Sequence, residues 1–144
     1  MATSKDPIIR EAFAPHLQPG ETLESWAYGV KQPSLLLVVP LFFLAILPGV
    51  IAVALLTKHY LLGRTDRRVL ALRVAGSEYE VQEVTEYGLD EELDVEASSG
   101  AIFAHVTVRD EARPFKAKFH RAFAPDNREH AVEAAQALGA AVAA

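Results

Sequence analysis

The chain has 144 residues, a formal net charge of −5 and no cysteine. This length predicts one domain that can bury a hydrophobic core without covalent staples, and the lack of cysteine excludes disulfides and thiolate metal sites. The acidic balance argues against a general nucleic-acid binder, which would need a basic surface.

Residues 1–33 are predicted to form an N-terminal helix and an extended lead-in. In the stretch DPIIREAFAPHL, Asp6 is suited to cap a helix and Pro7 to occupy its first position. The next stretch, TLESWAYGV, alternates loosely between apolar and polar residues. This pattern predicts a strand or an extended connection that leads into the following segment.

An apolar segment occupies residues 34–57. From Leu35 to Leu56 the sequence has no charged and no hydrogen-bonding side chain. A helix of that length would span roughly 33 Å, which is enough to cross a hydrocarbon core of about 30 Å. A core helix of a small protein would have one polar face, and this segment has none. The composition therefore predicts a transmembrane helix.

The prolines of this segment, Pro40 and Pro48, allow a second geometry. Pro48 removes a helix hydrogen bond, and Gly49 directly after it permits a turn. The segment can then form a re-entrant hairpin whose arms of about 12 residues are each too short to cross a bilayer. Both ends would return to one face of the protein, and an oligomer would have to shield the broken helix. The sequence leaves both geometries open.

The residues that flank the apolar segment bear on its orientation. Lys31 is the nearby cation before the segment, whereas Lys58 and several arginines follow it. The positive-inside rule then places the following side in the cytoplasm, and a single span would export residues 1–33. Three nearby aromatic residues are interpreted as membrane-interface residues, namely Trp26, Tyr28 and Tyr60, and core packing is the alternative for Trp26 and Tyr28.

Residues 58–144 are predicted to form an antiparallel β domain closed by a helix. Apolar residues recur there with period two in short strands separated by turns, which indicates a sandwich or a barrel. The last stretch, PDNREHAVEAAQALGAAV, has the pattern of a helix over residues 126–143. Asp126 is its expected N-cap, and Glu129 three residues later suggests a capping box.

The stretch YLLGRTDRRVLALRV, directly after an apolar segment, resembles the bacterial pleckstrin-homology-like domain. Thr65, Asp66 and Arg68 match the motif of that family, and the upstream LQPGE is similar to its lead-in. The resemblance implies a pleckstrin-homology-like β sandwich or barrel with a capping C-terminal helix. It also implies attachment to the inner membrane of a bacterium, and the flanking charges predict that the β domain faces the cytoplasm.

The same motif has a structural and a functional interpretation. Thr65 and Asp66 can hydrogen-bond nearby backbone groups and fix a tight turn, and Arg68 can pair with a carboxylate. In the functional interpretation, a cluster of cations contacts lipid phosphates. Its members would be Lys58, Arg64, Arg67 and Arg68.

The sequence has no motif that indicates catalysis or metal binding. The nucleophile elbow G-x-S-x-G and a glycine-rich phosphate loop are absent. His105 and His120 lack metal-ligand spacing and are interpreted as outward-facing strand residues. The acidic stretch from Glu78 to Glu96 lacks the calcium-loop pattern and is interpreted as a solvated face that protects a sheet edge. We therefore expect no enzymatic activity, no metal and no cofactor.

These features predict a non-enzymatic, membrane-anchored protein that acts in docking or assembly at the membrane. The expected partners are membrane lipid and either further copies of the chain or another protein, without nucleic acid. An alternative from another class is a self-assembling structural subunit whose apolar hairpin packs in an oligomer. A weaker alternative is an accessory subunit of an enzyme or transporter complex.

Overall fold

The computed structural model describes residues 5–32, 35–44 and 46–143. The boundary predicted between residues 33 and 34 therefore lies outside the described residues. The elements in chain order are α1 (Asp6–Phe13), a 3-10 turn (Ala14–His16), β1 (Leu23–Lys31), α2 (Leu35–Leu44), α3 (Ile46–Leu56), β2 (Lys58–Thr65), β3 (Arg68–Ala75), β4 (Glu80–Gly88), β5 (Val95–Ser99), β6 (Phe103–Val108), β7 (Phe115–His120), α4 (Asn127–Ala137) and β8 (Ala141–Ala143).

The strands form a mainly antiparallel sheet in the order β4-β3-β2-β1-β7-β6-β5-β8. The short strand β8 pairs with β5 in parallel, and the other neighbours are antiparallel. The register between β1 and β7 consists of one pair, Val30 opposite Lys118. This narrow seam divides the sheet into a β1–β4 half and a β5–β8 half.

The two halves face each other across the larger of two hydrophobic cores. Val69 and Ala71 of β3 lie there together with Val106 of β6 and Phe119 of β7, and α4 contributes buried alanines such as Ala134. The alanines let α4 lie close to the strands. The prediction of a mainly β fold with a C-terminal helix is confirmed.

The second core lies on the outer face of the β1–β4 half, under α1. Ile9 and Phe13 of α1 are fully buried there against Leu61, Leu70 and Leu72. Both faces of β2 and β3 are therefore covered. This explains why the sequence of β3 is a nearly continuous apolar run. In β6 and β7, which are buried on one face only, buried and more exposed residues alternate.

Of the two predicted helix caps, that of α1 is wrong, whereas that of α4 is confirmed in position. The N-cap of α1 is Lys5, and Asp6 is already helical; its carboxylate accepts a hydrogen bond from Trp26 Nε1 at 2.7 Å. Asp126 is the N-cap residue of α4, but its side chain makes no cap hydrogen bond.

The predicted extent of the C-terminal helix is also wrong. Helix α4 ends at Ala137, and Gly139 adopts a φ of +93°, which favours glycine and reverses the chain. The following alanines form β8 instead of further helical turns, because the edge of β5 offers them backbone partners.

The lead-in predicted at residues 1–33 joins the same fold as the residues after the apolar segment. TLESWAYGV forms β1, as one of the two interpretations predicts, and it pairs with β2 along its length, from Leu23 opposite Thr65 to Lys31 opposite Lys58. Residues 23–31 therefore lie beside β2 in one sheet. This contradicts the prediction that a single span exports them to the other side of a membrane.

Gly63 in β2 allows α1 to approach the sheet. A Cβ atom at this position would lie 2.4 Å from a ring carbon of Phe13, which is fully buried and has no room to move. We expect Gly63→Ala to lower the free energy of unfolding by about 1–3 kcal/mol, as overpacking does in cores. Urea denaturation measures this. As a control, Gly100→Ala, where the nearest atom would be 3.4 Å away, should change stability by less than about 0.5 kcal/mol.

Candidate functional site

The apolar segment forms two helices that contact each other, α2 and α3. Its two ends return to the same place, because Lys31 and Lys58 are register partners at the end of the β1–β2 ladder. Antiparallel partners have Cα atoms about 4.5–5.5 Å apart. The segment is therefore a helical hairpin inserted between two paired strands, which is the second of the two geometries that the sequence allows.

The position of the break differs from the prediction. Pro48 and Gly49 do not form the turn but lie in the first turn of α3, where a proline is tolerated because its missing N–H has no helical partner. Helix α2 ends at Leu44 and α3 begins at Ile46, and Ala45 lies outside the described residues. Pro40 lies inside α2.

Gly49 is buried in the contact between α2 and α3. A Cβ atom there would lie 2.7 Å from the ring of Phe42, so the glycine admits this ring. In one continuous helix these two residues would be about 10 Å apart along the axis. The contact therefore requires the chain to fold back.

The hairpin arms are short. At 10 and 11 residues, they extend about 15 Å and 16 Å, which is roughly half of a hydrocarbon core. Among residues 5–32, 35–44 and 46–143, no helix has the length and apolarity needed to span a bilayer. The predicted transmembrane helix from Leu35 to Leu56 is thus not found as one helix.

The hairpin exposes large apolar side chains. Phe43 is 86% exposed and Leu44 81% exposed. Other exposed members of this surface, which we call the hairpin surface, are Ile46, Leu47, Val50, Ile51, Leu55 and Leu56. Soluble monomeric proteins rarely carry an uninterrupted apolar surface of this kind, and such surfaces usually mark an interaction site.

The three aromatic residues near the hairpin pack within the fold. Trp26 is buried, and the hydroxyl of Tyr28 hydrogen-bonds His59 Nδ1 while its ring stacks on Phe123 with centroids 4.1 Å apart. Tyr60 packs edge-on against the ring of a core phenylalanine. The core interpretation of Trp26 is therefore confirmed, Tyr28 and Tyr60 are half-buried, and an interface role of the three residues stays a prediction.

The basic cluster predicted from sequence is split between two ends of β2. Lys58 lies at the base of the hairpin, whereas Arg64 lies six residues along the strand, about 20 Å away. Arg67 and Arg68 follow the turn at that far end. The four cations therefore do not form one site.

Arg68 is part of a buried ion pair. Its guanidinium donates to both carboxylate oxygens of Glu21 at 2.9 Å, to the carbonyl of His16 at 2.8 Å, and also to Glu86. The side chain of Glu21 is fully buried. Hydrogen bonds from Arg68 lower the pKa of Glu21 to about 2, against the opposing effect of burial.

Thr65 completes this arrangement, which we call the Glu21–Arg68 lock. Its hydroxyl donates to Glu21 at 2.7 Å and accepts the backbone N–H groups of Arg67 and Arg68. Asp66 accepts the backbone N–H of Thr22. The motif residues therefore tie the LQPGE lead-in to the β2–β3 turn, which is the structural interpretation of the motif.

The remaining cations of the far end also have local partners. Arg64 lies 3.6 Å from a carboxylate oxygen of Glu24, and Arg67 hydrogen-bonds Gln18 at 3.2 Å. The sequence pattern alone does not reveal Glu21 as the partner of Arg68. One signal in the sequence points to Glu21. It belongs to the LQPGE stretch, which is similar to the lead-in of the same family whose motif contains Arg68.

Lysines, in contrast to arginines, gather near the hairpin base. Seven of the nine arginines form ion pairs with carboxylates. Four of the five lysines form none with any residue that the structure describes, and all four lie on strands at or beside the β1–β7 seam and the β1–β2 end: Lys31, Lys58, Lys116 and Lys118. The last two could not be predicted from the sequence, because β7 is distant from the hairpin in the chain.

The two strand histidines have no metal-site geometry. His105 is opposite Lys118 and His120 is opposite Phe103, so they lie on neighbouring strands without facing each other. Across the described ranges, no group of three His, Asp or Glu side chains is arranged to hold a metal ion.

Comparisons with known proteins bear on the fold alone. No family model matches the chain, and no curated protein matches it. A solved structure, the hSac2 domain from the human phosphoinositide phosphatase Sac2, is similar with a TM-score of 0.52. The likeness covers 99% of this chain and 90% of that chain, at 11% sequence identity. It supports a β-sandwich fold, and at this identity it says nothing about activity.

The Glu21–Arg68 lock predicts unequal effects of neighbouring arginines. Arg68→Ala would leave the Glu21 carboxylate buried without its partner, and we expect a loss of about 3–5 kcal/mol in the free energy of unfolding. Arg67→Ala removes an exposed hydrogen bond and should cost less than about 0.5 kcal/mol. Guanidinium denaturation of both variants tests this, and equal losses would contradict it.

The lock also predicts a dependence of stability on pH. The pKa of Glu21 in the folded state, about 2, lies below its ordinary value of 4.5. Its contribution is therefore complete above pH 4.5 and is lost as the pH falls toward 2, with a total of about 3 kcal/mol. The stability difference between wild type and Glu21→Gln should shrink over this interval in urea titrations. A constant difference would show that Glu21 is not the titrating group.

Proposed function

We propose that this protein docks on one face of a membrane by inserting the α2–α3 hairpin into a single leaflet, and that it acts there in assembly without catalysing a reaction. One observation carries the proposal. An uncharged hairpin with exposed apolar side chains leaves a folded β domain at two adjacent strand ends, Lys31 and Lys58. Both ends are thereby on the same side of whatever the hairpin enters.

The energetics favour burial of the hairpin surface. Five of its side chains are more than two-thirds exposed, and burying an apolar side chain of this size contributes about 1.5–3 kcal/mol. Their transfer into lipid is therefore favourable by on the order of 10 kcal/mol. The five side chains are Phe43, Leu44, Ile46, Leu47 and Leu55.

The backbone of the hairpin also suits a leaflet. Helices satisfy their backbone groups internally, and an arm length near 15 Å reaches about the middle of the hydrocarbon. At the end of α3, the N–H and hydroxyl of Thr57 both donate to the carbonyl of Val53. This satisfies one of the carbonyl groups that a helix end leaves open.

The bacterial pleckstrin-homology-like family remains part of the proposal. Three features support it: the β4-β3-β2-β1-β7-β6-β5 strand order, the helix α4 after β7, and the lock formed by Thr65 and Arg68 within the family-like motif. In this assignment the β domain lies on the cytoplasmic face of a bacterial inner membrane. Folds of this type host many functions, so the fold does not identify a partner.

A second candidate function is self-assembly through the hairpin. The observation that favours it is that the Phe42–Gly49 contact covers only the inner side of the two helices, which leaves the hairpin surface open to other copies. Close helix packing between copies would cover this surface without lipid. The two candidates differ in whether the isolated protein requires lipid to bury the hairpin.

Membrane insertion predicts a specific effect of charge on the hairpin. Leu47→Asp should lower binding to phosphatidylcholine vesicles by roughly 100-fold, because a carboxylate inside a bilayer costs about 3 kcal/mol. Vesicle co-sedimentation with a carbonate wash measures this. Ile102→Asp is the matched control, since Ile102 is equally apolar and 46% exposed but lies on the β domain, and it should bind like wild type.

Two outcomes would contradict the proposal. Equal binding by wild type and Leu47→Asp would show that the hairpin is not inserted. Recovery of wild type as a large soluble particle without lipid would instead support self-assembly.

A further inference from the structure

A groove opens at the seam between the two halves of the sheet. It has a volume of about 420 Å³. Its walls come from the end of β1 and from the outward faces of β6 and β7, and they consist of Val30, Lys31, Gln32, His105, Thr107, Lys116, Ala117 and Lys118. We call this the seam groove.

The groove follows from the topology. Strands β1 and β7 share one register pair, at Val30 and Lys118, and diverge beyond it. Past this pair β1 runs on through Lys31 toward the hairpin, while β7 continues its pairing with β6. Six of the eight residues that line the space between these strands have polar side chains, because it lies on the solvent side of the β5–β8 half.

The groove is basic in a protein that is acidic overall. Three lysines line it, and no Asp or Glu is among its lining residues. The ammonium of Lys118 is held in place by the amide oxygen of Gln32 at 2.9 Å and lies 4.8 Å from the ring centre of Phe103. Lys116 is exposed and makes no ion pair with a described residue. A cavity lined by cationic side chains and by no anionic ones attracts anions.

The donors suit the oxygens of a phosphate group. Lysine ammonium groups bind phosphate as point charges with several donors. The hydroxyl of Thr107 and the imidazole of His105 add hydrogen-bonding groups at the same walls. Because no carboxylate lines the groove, it offers no ligand group that would favour a cation.

The groove lies beside the base of the hairpin. Lys31 and Gln32, which line it, precede α2 by only a few residues, so the start of α2 lies within about 10 Å along the chain. Lys58 lies opposite Lys31 on the other side of β1. An anion in the groove would therefore be at the level where the hairpin leaves the β domain, which is the headgroup level if the hairpin lies in a leaflet.

We propose that the seam groove binds the phosphate of an anionic glycerophospholipid whose acyl chains lie beside α2 and α3. This inference rests on the proposed insertion of the hairpin. It assigns lysines of β7, which are far from the hairpin in sequence, to headgroup recognition. It also moves that role away from Arg64, Arg67 and Arg68, whose partners are within the protein.

The test compares two charge reversals of equal size in two lipid mixtures. Lys116→Glu alters the groove, and Arg67→Glu alters an exposed cation at the far end of β2. With vesicles of phosphatidylcholine and phosphatidylglycerol, Lys116→Glu should lower the affinity at least about fivefold. Arg67→Glu should lower the affinity less than about twofold, because Arg67 lies farther from the membrane surface than the screening length. With pure phosphatidylcholine, both should bind like wild type.

The outcomes separate this inference from the proposed function. Equal effects of the two reversals on anionic vesicles, with intact binding to phosphatidylcholine, would overturn the groove assignment alone. If the wild-type protein binds neither the anionic nor the pure phosphatidylcholine vesicles, both the groove assignment and the proposed function are overturned. A last experiment titrates the protein with soluble glycerol 3-phosphate and monitors the chemical shifts of the backbone amides. Shifts at Lys116 and Lys118 without any preference for anionic vesicles would identify a soluble phosphate ester as the ligand and overturn the lipid assignment.

Discussion

The pairing of β1 with β2 is the constraint on which the rest of the structure depends. These strands are separated in sequence by the whole apolar segment, yet they pair from Leu23 opposite Thr65 to Lys31 opposite Lys58. The entropic cost of closing a loop grows only slowly with the length of the loop. A stable β1–β2 ladder can therefore offset the cost of closing this long connection. Because the ladder brings the two ends together, the segment must fold back on itself and cannot be one straight helix.

The two ends of β2 differ in their electrostatics. At the far end, the charge of Arg68 is paired with a carboxylate of the protein itself. This Glu21–Arg68 lock connects the lead-in to the β2–β3 turn, and it gives a structural role to the motif that resembles the family. At the hairpin end, lysines have no carboxylate partner among the residues that the structure describes. A protein with a formal net charge of −5 thus presents a local positive surface beside its apolar hairpin. In our proposal both features serve contact with one leaflet.

Local patterns predicted much of the fold. Period-two alternation identified β6 and β7 with their buried faces, and the turn chemistry of Thr65 and Asp66 identified the β2–β3 hairpin. The errors occur where distant residues compete with a local signal. Helical propensity favours a helix through the C-terminal alanines, but the open edge of β5 takes them as β8. Pro48 and Gly49 suggest a turn, but Pro48 is tolerated at the start of α3 and Gly49 serves a close contact with Phe42.

The sequence by itself determined the antiparallel β class, the C-terminal helix and the presence of an uncharged segment that water would not solvate well. These properties follow from periodicity and composition, which can be determined from short stretches of the sequence without knowledge of distant contacts. Only the tertiary structure decided between a spanning helix and a hairpin, since that choice depends on the register of strands on either side of the segment. It also decided which cations of the described residues have a carboxylate partner, because Arg68 meets Glu21, and Lys116 lines one groove with Lys31, only after β1 is placed between β2 and β7.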